Sequence, residues 1–321
     1  MIVTVTINPS VDRTIQLPSP LVRDAVLRAS AVTSQAAGKG VNVSRALAHA
    51  SVATRAIVRA DYHDPYVREL VESGLAVVTV DPGATVRTNI SLAEPDGTTT
   101  KINEPGSPLS ASAVAALHEV VAAEAPRSSW IVLAGSLPPA ADVELLADLA
   151  RTARIAAPEI RIAVDTSGAP LTALRTAGVR IDLIKPNLEE LAELTGTDPA
   201  SLGDPRAVAE ACKILRAEGI AAVLATLGSA GAVLATTDGA WYATHPPVIA
   251  RSTVGAGDSS LAGYLIADAR GLSPAERLAN AVAYGSAAVA LPGTTIPRPT
   301  DTRPDQVTVT EIHLPAAVAT P

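Results

Sequence analysis

The sequence predicts an α/β fold: a mostly parallel β-sheet covered by helices on both faces, with a small β-sheet lid. Three observations predict it. From Ser110 onward, short apolar runs alternate with helical patterns, as successive βα units do. Runs such as 130–134 are apolar at every position, as strands buried on both faces are. Ahead of that region, 87–92 and 98–102 instead alternate around Glu94-Pro95-Asp96-Gly97, a hairpin signal.

The elements follow in order. Val3 and Val5 alternate with Thr4 and Thr6 as a first strand, which Asn8-Pro9 breaks. Asp12 and Arg13 come just beyond it, where ligands gather in open α/β sheets. Residues 14–36 contain no long helix, and Val26, Arg28 and Val32 read as strand positions. Gly38-Lys39-Gly40 then opens a helix, leaving free N–H groups with an ammonium beside them; this is an anion site or a simple helix-start turn. Residues 64–73 read as a helix and 76–80 as a short strand. The 87–102 hairpin, paired with the 14–36 strands, makes the small sheet, and Asn103-Glu104-Pro105-Gly106 closes it.

Beyond it, helices are predicted over 110–125, 142–153, 171–177, 188–194 and 206–218, and strands over 130–134, 160–164, 181–184 and 221–226. Residues 232–236 and 241–243 form a hairpin, 274–290 a final long helix, and 307–312 a last strand.

Composition narrows the function. With 48% hydrophobic and 18% charged residues, the 321-residue chain can bury a large core. A net charge of -7 argues against a nucleic-acid partner but leaves room for a local cationic site. A single cysteine, Cys212, excludes an intrachain disulfide framework and reads as a buried helix position. The N-terminus looks like a strand, with no basic signal region, and no apolar run suits a bilayer, so no membrane association and a cytoplasmic location are expected. The five histidines are scattered. Of 25 basic residues only four are lysines, and Lys39, Lys101 and Lys185 each sit beside Gly, Asn or Pro in motif-like stretches.

The central stretch is Ser252-Thr253-Val254-Gly255-Ala256-Gly257-Asp258-Ser259-Ser260. Two glycines one residue apart let backbone approach a ligand, and a helix start follows, with N–H groups suited to phosphate oxygens. A carboxylate at that turn, Asp258, could take a proton from an attacking hydroxyl. It could also be an ordinary first-turn acid favoured by the helix dipole. The stretch is neither a Walker loop nor a dinucleotide fingerprint.

This stretch resembles the C-terminal signature of the ribokinase-like, or PfkB, carbohydrate kinases. Asn8-Pro9-Ser10-Val11-Asp12-Arg13, Gly38-Lys39-Gly40-Val41-Asn42, Arg87-Thr88-Asn89, Lys101-Ile102-Asn103-Glu104-Pro105-Gly106, Ser136-Leu137-Pro138-Pro139 and Lys185-Pro186-Asn187 look like the branch that phosphorylates ketohexose phosphates. The resemblance implies one kinase domain over 1–321, a ribokinase-like three-layer α/β/α sandwich with a β-lid formed by about 9–36 and 85–106. It implies Asp258 as general base and Gly255, Ala256 and Gly257 as anion hole. For the substrate it implies Asp12, Gly38, Lys39, Asn42, Arg87, Asn89, Lys101 and Ser136. The nucleotide set is Lys185, Asn187, Thr226, Gly228, Gly231 and Asn280, with Glu190 reaching Mg²⁺ through water. ATP and Mg²⁺ are the implied cofactors, a phosphorylated ketohexose the partner, and a homodimer through the β-lid the expected assembly.

Several of these residues have plainer readings. Arg87 and Lys101 also suit charged positions that discourage edge-to-edge sheet pairing. Asp12 also suits a turn. Asn187 and Glu190 also form the spacing of a helix capping box. The first glycine of the lysine motif is replaced here by Ala37, and the nucleotide strand ends Thr226-Leu227-Gly228 in place of Ser-Leu-Gly. The expected activity is transfer from ATP to the C6 hydroxyl of D-fructose 1-phosphate. The alternatives are a tagatose-6-phosphate or 6-phosphofructokinase, a neutral-sugar or nucleoside kinase, or a non-catalytic sugar-phosphate sensor.

Overall fold

The computed structural model describes residues 1–81, 83 and 85–314. The first part of the chain forms β1 (Ile2–Thr6), β2 (Ser10–Gln16), β3 (Ala31–Ala37), α1 (Lys39–His49), β4 (Thr54–Arg59), α2 (Pro65–Glu72), β5 (Val77–Val80), β6 (Arg87–Ala93) and β7 (Thr99–Asn103). Next come α3 (Ala111–Glu124), β8 (Trp130–Ala134), α4 (Leu145–Ala156), β9 (Arg161–Asp165), α5 (Ala169–Thr176), β10 (Leu183–Ile184), α6 (Leu188–Thr195) and α7 (Pro205–Ala217). The chain continues through β11 (Val223–Thr226), β12 (Ala232–Ala235), β13 (Ala240–Thr244), α8 (Ala256–Ala269), α9 (Pro274–Ala290) and β14 (Thr308–Glu311).

The main sheet has the order β14-β13-β12-β11-β10-β9-β8-β1-β4-β5. It is parallel from β11 to β5, and β12, β13 and β14 add antiparallel to one edge. Alternation along its strands feeds two cores. Val3, Val5, Ile131 and Leu133 pack with α3, α4, α6 and α7, whereas Ile2, Trp130 and Val132 pack with α1, α8 and α9. The result is a three-layer α/β/α sandwich. Helix starts follow local chemistry: Asp64 and Asp204 accept N–H groups ahead of Pro65 and Pro205, and Ser273 with Glu276 closes a capping box ahead of Pro274.

A separate four-stranded sheet has the order β3-β2-β6-β7. Its register places Asp12 opposite Asn89 and Gln35, and Lys101 opposite Ser91. Period-two alternation therefore puts Ser10, Asp12, Arg87, Asn89 and Lys101 on one face. Val11, Ile15, Ile90, Leu92 and Ile102 lie on the other.

The structure departs from the sequence expectations in three places. Residues 17–30 contain no strand, and Val26 is 90% exposed. The backbone turns there through Asp24 at φ 60°, and an isolated apolar residue cannot hold a strand without a facing partner. β4, which the motif reading passed over, is the direct parallel neighbour of β1. α4 begins at Leu145 because Asp142 instead makes a turn, its carboxylate accepting from Glu144 N. Among the described residues, no helix is long and apolar enough to cross a membrane.

Candidate active site

The Gly255–Asp258 turn opens α8, with Gly255 at φ 75° as N-cap, and Asp258 stands in the first helical turn. The Asp258 carboxylate is 7% exposed. Asn42, on α1, donates its amide to Asp258 Oδ2 at 2.8 Å. Residues 216 positions apart in the chain thus meet, because α1 and α8 cover the same face of the sheet.

Two further cations converge beside them on a buried carboxylate that the motif reading did not single out. Lys39 Nζ donates to Asp165 Oδ1 at 2.9 Å, and Lys185 Nζ lies 3.3 Å from Oδ2. Asp165 is the last residue of β9, at the C-terminal edge of the parallel sheet. Its signal in the sequence was an acid ending an apolar strand at the edge where open α/β sheets collect ligands. Lys185 also borders the Gly255–Asp258 turn: a methyl group added to Gly257 would sit 3.2 Å from its Nζ.

These charges set one another's protonation. Burial pushes the Asp258 carboxyl up to about 6, and the neighbouring Asp165 carboxylate adds to the rise. Lys39, the Asn42 amide and Lys185 oppose it. Burial would also raise Asp165, but the ammonium groups of Lys185 and Lys39 outweigh it and hold Asp165 below its ordinary value. Burial alone would lower Lys39; Asp165, Asp258 and Glu190 outweigh it and keep the ammonium charged. The pocket holds one firmly ionised carboxylate and one poised to exchange a proton near neutrality.

The polar face of the small sheet supplies a second group. Asp12 Oδ1 accepts from Ser10 Oγ at 2.8 Å and from Asn89 Nδ2 at 3.1 Å. Burial raises its pKa against these bonds and against the charges of Arg87 and Lys101. Arg87 Nη1 donates to the Glu104 carbonyl at 2.7 Å, and Nη2 lies 3.5 Å from Ser136 Oγ. Lys101 is exposed on β7. Asn42 Oδ1, Asn89 Oδ1 and Arg87 Nε are buried without a hydrogen-bond partner in the protein. Such atoms are costly to leave unpaired, and both groups therefore have unspent capacity for a polar ligand.

The two groups flank one loop. Ser136, which Arg87 approaches, follows Gly135, and a methyl group added to Gly135 would sit 4.0 Å from Lys39 Cβ. Lys39 and Arg87 therefore lie on the same side of the molecule. Gly38, N-cap of α1 at φ 135°, is required by its backbone and by Thr6, whose Cγ2 would be 2.7 Å from an added methyl. Ala37 ends β3 paired with Ser10, so the methyl group at that position is accommodated.

The nucleotide-side expectations are placed less uniformly. Asn187 and Glu190 form a complete capping box at α6: Asn187 Oδ1 accepts from Glu190 N at 2.8 Å, and Glu190 Oε2 from Asn187 N at 2.9 Å. Thr226 pairs with Asn187 in a parallel bridge, which joins the end of β11 to this cap. Gly228 and Gly231 bracket one 3₁₀ turn, at φ 60° and 98°. Gly231 also has a packing reason, since an added methyl would lie 2.0 Å from the Ala243 carbonyl oxygen. Asn280 turns back along its own helix and donates to the Glu276 carbonyl at 2.9 Å. That bond occupies its amide at the α8–α9 contact.

Comparison with known proteins gives a consistent result. The model of the pfkB family carbohydrate kinases matches residues 6–301. A 1-phosphofructokinase of Rhodobacter capsulatus is 37% identical over 93% of this chain and 93% of its own length. The ATP-dependent 6-phosphofructokinase isozyme 2 of Escherichia coli is 32% identical over 94% of this chain and 96% of its own. The solved tetrameric inhibited form of phosphofructokinase-2 from Escherichia coli superposes with a TM-score of 0.81 at 31% identity, covering 91% of this chain and 95% of that one. This tetramer corrects the expectation of a homodimer through the β-lid. A tetramer requires contact surfaces beyond a single two-fold patch, so one sheet-to-sheet contact does not describe that relative's assembly.

Proposed function

The chain is a member of the pfkB family of carbohydrate kinases, and on that premise we propose that it is an ATP-dependent 1-phosphofructokinase acting on D-fructose 1-phosphate. The observation that carries the reading is the pairing of two groups around one loop: a buried carboxylate poised near neutrality, Asp258, and a polar sheet face bearing Arg87 and Lys101. A kinase for an unphosphorylated sugar would have no use for the Arg87 and Lys101 charges of the second group. A sugar-phosphate sensor would have no use for the first.

In the proposed mechanism Asp12 accepts hydrogen bonds from the sugar hydroxyls, and Gly38, Lys39 and Asn42 line the acceptor pocket. Arg87 binds the phosphate already on the sugar with its planar fork, helped by Lys39, Asn89, Lys101 and Ser136. Asp258, oriented by the Asn42 amide, takes the proton of the C6 hydroxyl. That oxygen forms its bond to the γ-phosphorus of ATP as the bond from phosphorus to the β–γ bridging oxygen breaks, and ADP leaves. The Gly255, Ala256 and Gly257 amides and Lys185 stabilise the transferring oxygens. Thr226, Gly228 and Gly231 shape the nucleotide loop. The small sheet acts as a lid that limits access of water.

The residues fit Mg²⁺ as a companion of the nucleotide. Among the described residues no three His, Cys, Asp or Glu side chains gather as a metal cage. Mg²⁺ typically keeps waters and binds through substrate phosphates with one or two carboxylates. Glu190 Oε2 is committed to the capping box, and its other oxygen, with Asn187 nearby, would hold the waters of the ion. When bound, Mg²⁺ neutralises phosphate oxygens.

A second reading, phosphorylation of fructose 6-phosphate or tagatose 6-phosphate, is favoured by the 32% identity to the Escherichia coli 6-phosphofructokinase, because the same cations can receive a phosphate at either end of a ketohexose. A coupled ADP-release assay over fructose 1-phosphate, fructose 6-phosphate, tagatose 6-phosphate and free fructose separates the readings. The highest kcat/KM is expected for fructose 1-phosphate. A higher value for either 6-phosphate would replace the assignment, and equal turnover of free fructose would remove the phosphate-binding role of Arg87.

A further inference from the structure

The four-stranded sheet joins the body through the links between β1 and β2, β3 and α1, β5 and β6, and β7 and α3. One buried side chain ties two of them together. Arg59, the last residue of β4, is 4% exposed. Its Nε donates to Asp81 Oδ2 at 2.7 Å, Nη1 to the Ser107 carbonyl at 2.8 Å and Nη2 to the Pro108 carbonyl at 2.6 Å. Asp81 begins the link into β6, and Ser107 and Pro108 lie in the link out of β7.

The two links also meet directly, Ser107 Oγ donating to the Thr85 carbonyl at 3.1 Å, and their chemistry explains what Arg59 adds from outside. Asp81 sits at φ 63°, a left-handed backbone that Asp tolerates better than most side chains. The outgoing link contains Pro105 and Pro108, which have no N–H, so carbonyl oxygens are its main handles. A guanidinium presents donors in a rigid fork and can reach a carboxylate and two carbonyls at once; an ammonium is a single flexible point charge. Other fastenings lie elsewhere: Asn8 Nδ2, in the link between β1 and β2, donates to the Pro105 carbonyl at 3.1 Å, and Arg45 and Tyr66 donate to the carbonyls of Ala36 and Ala37 at the end of β3. Every side-chain hydrogen bond given above for Arg59 goes to the links of the small sheet and none to the proposed substrate groups.

We propose that Arg59 is a positioning residue: it latches the two links flanking β6 and β7, and so sets the angle at which Arg87, Asn89 and Lys101 face Asp258. The part concerning sugar phosphate rests on the kinase reading above; the part concerning the lid angle does not. Arg59→Lys keeps a charge opposite Asp81 but cannot hold both carbonyls. Spin labels at T100C on the lid and E119C on the body report the angle in the full chain without substrate, and Cys212, the single native cysteine, is buried.

The expected result for Arg59→Lys is a clearly broadened label-to-label distance distribution. With the aligned lid reduced to about a tenth of the population, KM for the sugar phosphate should rise about tenfold, while KM for ATP changes less than about twofold. An unchanged distance distribution would overturn the proposal whatever the kinetics, and so would a parallel rise in both KM values. Failure of the wild type to phosphorylate any hexose monophosphate would remove the kinase reading, yet the label distances would still decide the latch. Should Arg59→Lys fail to fold, Asp81→Ala removes the acceptor of the Arg59 Nε bond and is judged by the same distances.

Discussion

Replacing Asp258 with Asn separates the chemical role of this residue from its structural cost. Asparagine preserves shape and can still accept the Asn42 amide through its side-chain oxygen, but it cannot take a proton. If Asp258 is the base, kcat should fall by about 10²–10⁴-fold. Stability should move the other way. The Asp258 carboxyl is held at about 6 against an ordinary 3.8, so the fold disfavours its ionised form. The sign follows from that: the unfolded chain loses this proton first, and stability falls as pH rises from 3.8 through about 6. The gap corresponds to about 3 kcal/mol at neutral pH, which Asp258→Asn would recover in part, as a raised Tm at about pH 7.5 and no gain at about pH 3.5.

The same protonation governs rate. In the wild type kcat/KM should fall about fivefold from about pH 6 to about pH 5, as the base becomes protonated. Coupled ADP-release kinetics from about pH 5 to 8, with thermal unfolding of both proteins at about pH 3.5 and 7.5, tests both roles of the residue. Near-wild-type kcat in Asp258→Asn would refute the base. A lowered Tm at the higher pH would refute the claim that its ionisation strains the fold.

Three other outcomes follow from the site. Arg87→Ala should raise KM for the sugar phosphate by about 10–100-fold, the loss of a charge-assisted pair, with KM for ATP unchanged in the same initial-rate assay. Glu190→Gln preserves a capping box, since glutamine accepts the same N–H, so Tm should stay within about 1 °C while the free Mg²⁺ needed for half-maximal rate rises; a fall in Tm with unchanged Mg²⁺ dependence would leave only the capping role. Gly231→Ala should destabilise the chain by about 3 kcal/mol or more, because an added methyl meets the Ala243 carbonyl at 2.0 Å on a backbone at φ 98°, and denaturant unfolding would register it.

Much of the site was legible because the chemistry it needs is written in contiguous residues. A glycine turn before a helix, an acid in its first turn, Pro after Asp or Ser at helix starts, and apolar runs of strand length are local patterns, and each appears where the local rules put it. The same local rules misread residues 17–30, where Val26 and Arg28 alternate like a strand but face nothing that would pair with them. They also passed over β4, whose place beside β1 comes from parallel pairing across α1 rather than from a motif.

The chain's sequence alone determined its α/β class, the identity of the acid-bearing turn and the presence of a second cationic group. Only the tertiary structure decided what those charges do to one another. Asp165 lies 126 residues from Lys39 and 20 from Lys185, yet it joins their ammonium groups and raises Asp258 beside them. Arg59 reaches Asp81 and Ser107, 22 and 48 residues away. Such contacts exist because parallel strands return to the same sheet edge from distant points in the chain, and electrostatic energy depends on that spatial separation, which no spacing along the sequence encodes.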